Sequence, residues 1–160
     1  MILQRESGFT IIEIIAMLVV LSVVSAYAVG RDVFKGTSLP VRSELLKTHL
    51  RYAQSRALTS NFFWGIQTDI GGTAYWMFKY DGTLTRIRLP DEQADTVDLS
   101  GDGVTISPGT YTFDARGIPF KTTAADTPPG AVMAADTAIT VTKGSGSATI
   151  TITKNTGFIR

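Results

Sequence analysis

The first part of the chain is dominated by one long apolar stretch. Residues 9–29 read FTIIEIIAMLVVLSVVSAYAV and carry a single side-chain charge, at Glu13. As an α-helix this stretch would be about 31 Å long, close to the thickness of a bilayer core. Soluble helices are rarely apolar on every side over such a length. The pattern therefore predicts a transmembrane and assembly helix over residues 9–30.

The pattern changes at residues 31–61 to that of an amphipathic helix that continues the first one. Gly30, Gly36 and Pro40 weaken or interrupt a helix, so a kink is expected among them. We expect one long helix kinked at 36–40, or two helices in line, with an apolar face that packs on a sheet. Four apolar side chains recur at helical spacing in this segment: Leu46, Leu50, Ala53 and Ala57.

Residues 62–160 read as a β-rich head. Short β-prone runs are separated by turn signals such as Asp81-Gly82 and Gly144–Ser147, which favour antiparallel hairpins. The sequence thus predicts an α+β fold in which a long N-terminal helix, its first part membrane-spanning, packs against an antiparallel sheet. The predicted strands are Phe62–Thr68, Thr73–Tyr80, Thr83–Leu89, Val104–Ser107, Tyr111–Asp114, Ala138–Lys143 and Ala148–Thr153.

Composition excludes several functional classes. The 160 residues contain no cysteine, so neither a disulfide nor a thiolate site can form. No nucleophile elbow, zinc-protease motif or phosphate-binding loop is present, and His49 is the only histidine, expected at the surface. The acidic loop 91–102 lacks the spacing of a calcium-binding loop and is expected to be solvated. We therefore expect neither an enzyme nor a cofactor or metal site.

Glu13 is the anomaly of the apolar stretch. A carboxylate inside a membrane span costs on the order of 3 kcal/mol, so such a residue usually has a partner. Phe9 lies one helical turn back on the same face and carries no side-chain charge. It can supply a cation only through an α-amine, which requires a cut between Gly8 and Phe9. The small Gly8 suits such a cleavage site.

Residues 5–13, RESGFTIIE, resemble the class III signal of type IV prepilins and type II secretion pseudopilins. In that family a short leader ends in glycine, and the mature chain begins with phenylalanine and has glutamate as its fifth residue. The resemblance implies that residues 1–8 are a leader, removed by a prepilin peptidase that also methylates the amine of Phe9. It further implies that Glu13 pairs with the N-terminal amine of a neighbouring subunit during assembly.

Three later segments are similar to those of H-type minor pseudopilins and FimT-type minor pilins: residues 50–57, 112–117 and 156–160. This resemblance implies a structural minor subunit of a type IV pilus or a type II secretion pseudopilus. Its expected partners are other pilin subunits, the peptidase, an inner-membrane assembly platform and, before assembly, membrane lipid. The expected location is the inner membrane, single-pass with an extracytoplasmic head, and afterwards the periplasmic pseudopilus or extracellular pilus.

Several alternatives stay open. Ala26-Tyr27-Ala28 fits a signal-peptidase site, which would release a soluble periplasmic protein that begins at Val29. A plain signal anchor would explain the apolar stretch but not Glu13. Six basic against two acidic side chains give residues 31–60 a net charge of +4, a candidate DNA-binding stripe on a tip adhesin or DNA-binding minor pilin. Pilus and pseudopilus are not distinguished by these patterns.

Overall fold

The computed structural model describes residues 11–36, 38–90, 92–123 and 125–160, with side chains for all of these except 26–36 and 38. The chain divides into two compact units, residues 1–37 and residues 38–160. The predicted cleavage site, Gly8 and Phe9, lies outside the described residues.

The first unit contains helix α1, Ile11–Gly36. In the described part of the chain, no helix is both long enough and apolar enough to cross a membrane. The predicted membrane-spanning helix is therefore wrong, and so is the predicted single-pass location in the inner membrane.

The second unit begins with helix α2, Ser38–Leu58. Pro40 lies in its first turn, where a missing backbone N–H costs nothing because the first N–H groups of a helix have no partner within it. The prediction of one long N-terminal helix packed on a sheet is wrong. Helix α1 covers Ile11–Gly36 in the first unit, helix α2 covers Ser38–Leu58 in the second, and within the second unit it is α2 that packs against strands.

Ten strands follow α2 in the described residues and form two antiparallel sheets. The larger sheet has the order β3-β2-β1-β6-β7-β8, with β4 also pairing with β2, and the smaller has the order β10-β9-β5. Because α2 contacts β1 and β6 of one sheet and β9 and β10 of the other, it lies against both. The strands are β1 (Phe63–Thr68), β2 (Ala74–Tyr80), β3 (Leu84–Ile87), β4 (Val97–Asp98), β5 (Thr105–Ile106), β6 (Thr110–Phe113), β7 (Pro119–Thr122), β8 (Ala131–Val132), β9 (Thr137–Lys143) and β10 (Gly146–Ile152).

The core of the second unit is built on the apolar face of α2. The four side chains at helical spacing, Leu46, Leu50, Ala53 and Ala57, are each at most 1% exposed. They pack with inward-facing side chains from both sheets, so one cluster spans the two sheets. At about 25 cal/mol per Å² of apolar surface removed from water, this shared cluster is the main source of stability for the unit.

The C-terminal residues cover part of one sheet edge. The backbones of Thr151 and Arg160 exchange hydrogen bonds of 2.9 and 3.1 Å, and the N–H of Thr153 donates to the carbonyl of Phe158 at 2.9 Å. Ile152 and Ile159 form an antiparallel bridge between these bonds. The last residues of the chain therefore pair with the outer side of β10.

His49 is buried, which contradicts the prediction of a surface residue. Its side chain is 3% exposed, and its Nδ1 lies 2.9 Å from the hydroxyl oxygen of Tyr75 on β2. Burial raises the pKa of the Tyr75 phenol well above its ordinary value, so the phenol stays protonated and can donate to the ring. A polar ring is tolerated at this position because a hydrogen-bonding group meets it inside the core.

Gly65 on β1 permits the close approach of β1 and β6. A Cβ atom at this position would overlap the backbone carbonyl oxygen of Tyr111 and come within 2.8 Å of Cζ of Phe78. We predict that Gly65→Ala lowers the free energy of unfolding by about 1–3 kcal/mol, because the buried backbone must shift to admit the methyl group. Urea denaturation followed by circular dichroism measures the change.

The matched control for this prediction is Gly101→Ala. A Cβ atom at Gly101 meets nothing within 4 Å, so this change should alter stability by no more than about 0.5 kcal/mol. Equal denaturation midpoints for the two variants would contradict the close contact at Gly65.

Candidate assembly surface

The described surface of α1 is apolar and exposed. Eleven large hydrophobic side chains between Ile11 and Val24 are 50–79% exposed within this unit. These side chains are distributed all around the helix, so residues 11–25 have no polar face. Isolated exposed hydrophobic side chains are ordinary, but a continuous patch of this kind marks a surface that is covered by another molecule.

Glu13 is the only ionisable side chain between residues 11 and 25. It lies along one shallow groove of α1 together with five side chains spaced by three or four positions: Ala16, Met17, Val20, Leu21 and Val24. Ala16 lowers the helix surface next to the carboxylate, which allows a neighbouring helix to approach closely. A helix packed here would take the carboxylate out of water, and it would then need a cationic or hydrogen-bonding partner.

Of the three predicted kink residues, Gly36 and Pro40 lie at or near helix ends, whereas Gly30 lies inside α1. The backbone of α1 is helical from Ile11 to Gly36, Gly30 included. Pro40 lies in the first turn of α2, and the hydroxyl of Ser43 donates to the Pro40 carbonyl at 2.9 Å. Residue 37, between the two helices, lies outside the described residues, so the predicted kink at 36–40 stays a prediction.

The basic side chains of α2 contact other groups of the second unit. These contacts are Arg42 Nε to Asp102 Oδ2 at 2.6 Å, Lys47 Nζ to Glu44 Oε1 at 2.6 Å, Arg51 Nη2 to the Ile159 carbonyl at 2.9 Å, and Arg56 over the Trp64 ring at 4.9 Å. A phosphate-binding stripe needs cations that can neutralise phosphates. Carboxylates therefore neutralise Arg42 and Lys47, whereas Arg51 and Arg56 contact neutral groups and keep their charge.

Two carboxylates of the acidic loop 91–102, those of Asp98 and Asp102, form contacts within the fold. Asp102 pairs with Arg42, and Oδ1 of Asp98 accepts the backbone N–H of Ser100 at 2.8 Å. Hydrogen bonds from Ser100 lower the pKa of Asp98. In the part of the chain that the structure describes, no three His, Cys, Asp or Glu side chains converge as they would around a metal ion.

Gln54 connects the three segments on which the H-type resemblance depends. From α2 its Nε2 donates to the carbonyl of Gly117 at 3.3 Å and to the carbonyl of Thr156 at 3.0 Å. One side chain thus joins residues 50–57, 112–117 and 156–160, which lie far apart in sequence. The contact gives these segments a common structural role, independent of any family assignment.

Two glycines make this contact possible. Gly117 and Gly157 have φ angles of +77° and +65°, in the left-handed region that disfavours other residues. A Cβ atom on Gly157 would come within 2.5 Å of the Gly117 carbonyl oxygen and 2.6 Å of Gln54 Nε2. The backbone turns at these two glycines therefore pack directly on each other and on Gln54.

We predict that Gln54→Ala lowers the free energy of unfolding by about 1–2 kcal/mol, because it removes the shared donor of two carbonyl groups. Urea denaturation of the full chain measures the loss. Gln93→Ala is the control, since Gln93 is an exposed residue of the same type. If the two variants unfold at the same urea concentration, the Gln54 contacts contribute nothing to stability.

The comparisons with known proteins add no family to this picture. Neither a protein-family model, nor a curated protein, nor a solved structure matches the chain.

Proposed function

We propose that this chain is a structural subunit of a fibre of the type IV pilus or type II secretion pseudopilus class. In this proposal the chain is cut between Gly8 and Phe9 and assembles through α1, while residues 38–160 form its folded head. The exposed apolar surface of α1 over residues 11–25, where Glu13 is the single charged side chain, is the observation that carries the proposal. The string from Gly8 to Glu13 supports it independently.

Assembly would be driven by burial of α1 against other α1 helices. Removing apolar surface from water contributes roughly 25 cal/mol per Å², and α1 exposes such surface on every side over residues 11–25. The hydrophobic effect is non-directional, so an apolar helix alone does not fix the axial position of one subunit relative to the next. A single buried carboxylate sets that displacement, since it is tolerated only where a partner meets it.

The partner proposed for Glu13 is the N-terminal amine of Phe9 from a neighbouring subunit. Cleavage after Gly8 would create this amine one helical turn before Glu13, on the same side of the helix. An amine of the same chain and an amine of a neighbour would both neutralise the carboxylate. Only the neighbour's amine would link two subunits, and this link is the basis of the fibre.

A minor rather than a major subunit is the narrower form of the proposal. Its support is the similarity of residues 50–57, 112–117 and 156–160 to the H-type and FimT-type subunits, together with their joint contact at Gln54. A minor subunit would lie at or near the tip of the fibre and would be present in few copies.

Processing can be tested by mass spectrometry of the protein purified from its own host. We expect a mature chain that begins with an N-methylated Phe9. The control is Gly8→Leu, which places a bulky side chain at the cut and should leave the leader attached. A parent chain that begins at Val29 or retains Met1 would overturn the proposed processing and leave the apolar helix without its assembly role.

Glu13→Gln tests the role of the charge in assembly. We expect the variant to be processed normally but to enter fibres at least about tenfold less, because the neutral amide cannot balance a neighbour's amine. The measurement is the fraction of the protein in sheared, sedimented fibres, quantified by immunoblot. Glu13→Asp, which keeps the charge on a shorter side chain, should retain part of the assembly. Normal assembly of Glu13→Gln would show that the carboxylate is dispensable.

A further inference from the structure

A groove lies in the second unit, apart from α1. Its volume is about 840 Å³, within the range of ligand-binding clefts. Its apolar walls include Ile70 and Val132, which are 77% and 56% exposed, and the buried Met133 also lines it. Strand β8 and the segment that follows it, residues 131–137, form one long side of the groove.

Strand β8 is the last strand of the larger sheet and has an open outer side. The N–H of Met133 donates to the carbonyl of Pro119 on β7 at 3.0 Å, so Met133 directs its backbone groups toward β7. Because strand residues alternate, Val132 directs its N–H and carbonyl away from β7. In the described part of the chain, no further strand of the larger sheet pairs with β8 on that side.

The groove is lined by one basic side chain, Lys121, and one acidic side chain, Asp136. Lys121 lines it, and in the described part of the chain its Nζ has no ion-pair partner, with the Tyr111 ring centroid 6.0 Å away. The nearby carboxylates already have donors. Asp136 accepts the N–H of Lys154 at 3.0 Å and lies 3.6 Å from Arg160, whereas Asp126 is held by the hydroxyls of Thr122 and Thr123.

We propose that this groove binds an extended segment of a partner protein, which adds as a strand to the outer side of β8. The segment would exchange backbone hydrogen bonds with Val132, place apolar side chains against Ile70 and Val132, and direct an Asp or Glu side chain to Lys121. Strand addition of this kind takes its affinity from main-chain bonds and its specificity from side-chain contacts. This inference does not depend on the fibre proposal, since α1 takes no part in it.

The test uses the full chain, dispersed in a mild non-ionic detergent, and a fluorescein-labelled, capped heptapeptide of sequence VTVEVTV. Fluorescence anisotropy should show saturable binding. The same peptide with lysine in place of glutamate should bind at least about threefold more weakly. Lys121→Gln should remove this preference, and Lys121→Arg should keep it. No saturable binding below about 1 mM, or equal binding of both peptides, would overturn the proposal.

Val132→Pro removes the outward N–H but leaves the β7–β8 hydrogen bonds in place, because proline is tolerated where its missing N–H would face away from the sheet. We expect at least about tenfold weaker binding, whereas Val132→Ala, which keeps the N–H, should weaken it less. If Val132→Pro does not fold, the parent chain is studied by NMR instead, and the amide resonance of Val132 is followed while the peptide is added. A shift during peptide titration supports strand addition, and no shift overturns it.

Discussion

The apolar face of α2 is the constraint on which the second unit depends. Two separate antiparallel sheets pack against this one helix, so its small residues determine how closely they approach. Ala53 and Ala57 are fully buried, and a larger side chain at either position would force α2 away from the sheets. The contacts of Gln54 and Arg51 with the C-terminal segment depend on the same docking.

Much of the second unit could be predicted from local patterns. The helical repeat of Leu46, Leu50, Ala53 and Ala57 identified the buried face of α2. Alternation and turn residues located β1, β2 and β10 to within a few residues, because these strands are long enough to show a period. Strands β4 and β8 were missed, since two residues carry no period. Strand β7, which begins at Pro119, was missed because proline argues against a strand.

The errors came from features that the local sequence does not contain. His49 is polar by type, and its burial depends on the hydroxyl of Tyr75, 26 positions away. The groove beside β8 combines Ile70, Pro108, residues 121–123, Ala125 and residues 131–137, which no motif connects. The membrane-spanning prediction rested on hydropathy over residues 9–29, whereas the described helices do not meet the length and hydropathy that a span requires.

The pairing of the C-terminal residues with β10 affects how readily this protein associates with other copies of itself. Open strand edges offer unpaired N–H and carbonyl groups to any other chain, and β10 carries neither proline nor charged residues to discourage such contact. Residues 158–160 lie along the C-terminal end of that edge, opposite Thr151, Ile152 and Thr153. A proteolytic cut just before Phe158 would uncover this end of β10 and would also remove the buried Ile159 from the core, so a weakened head would offer an open strand edge to other chains.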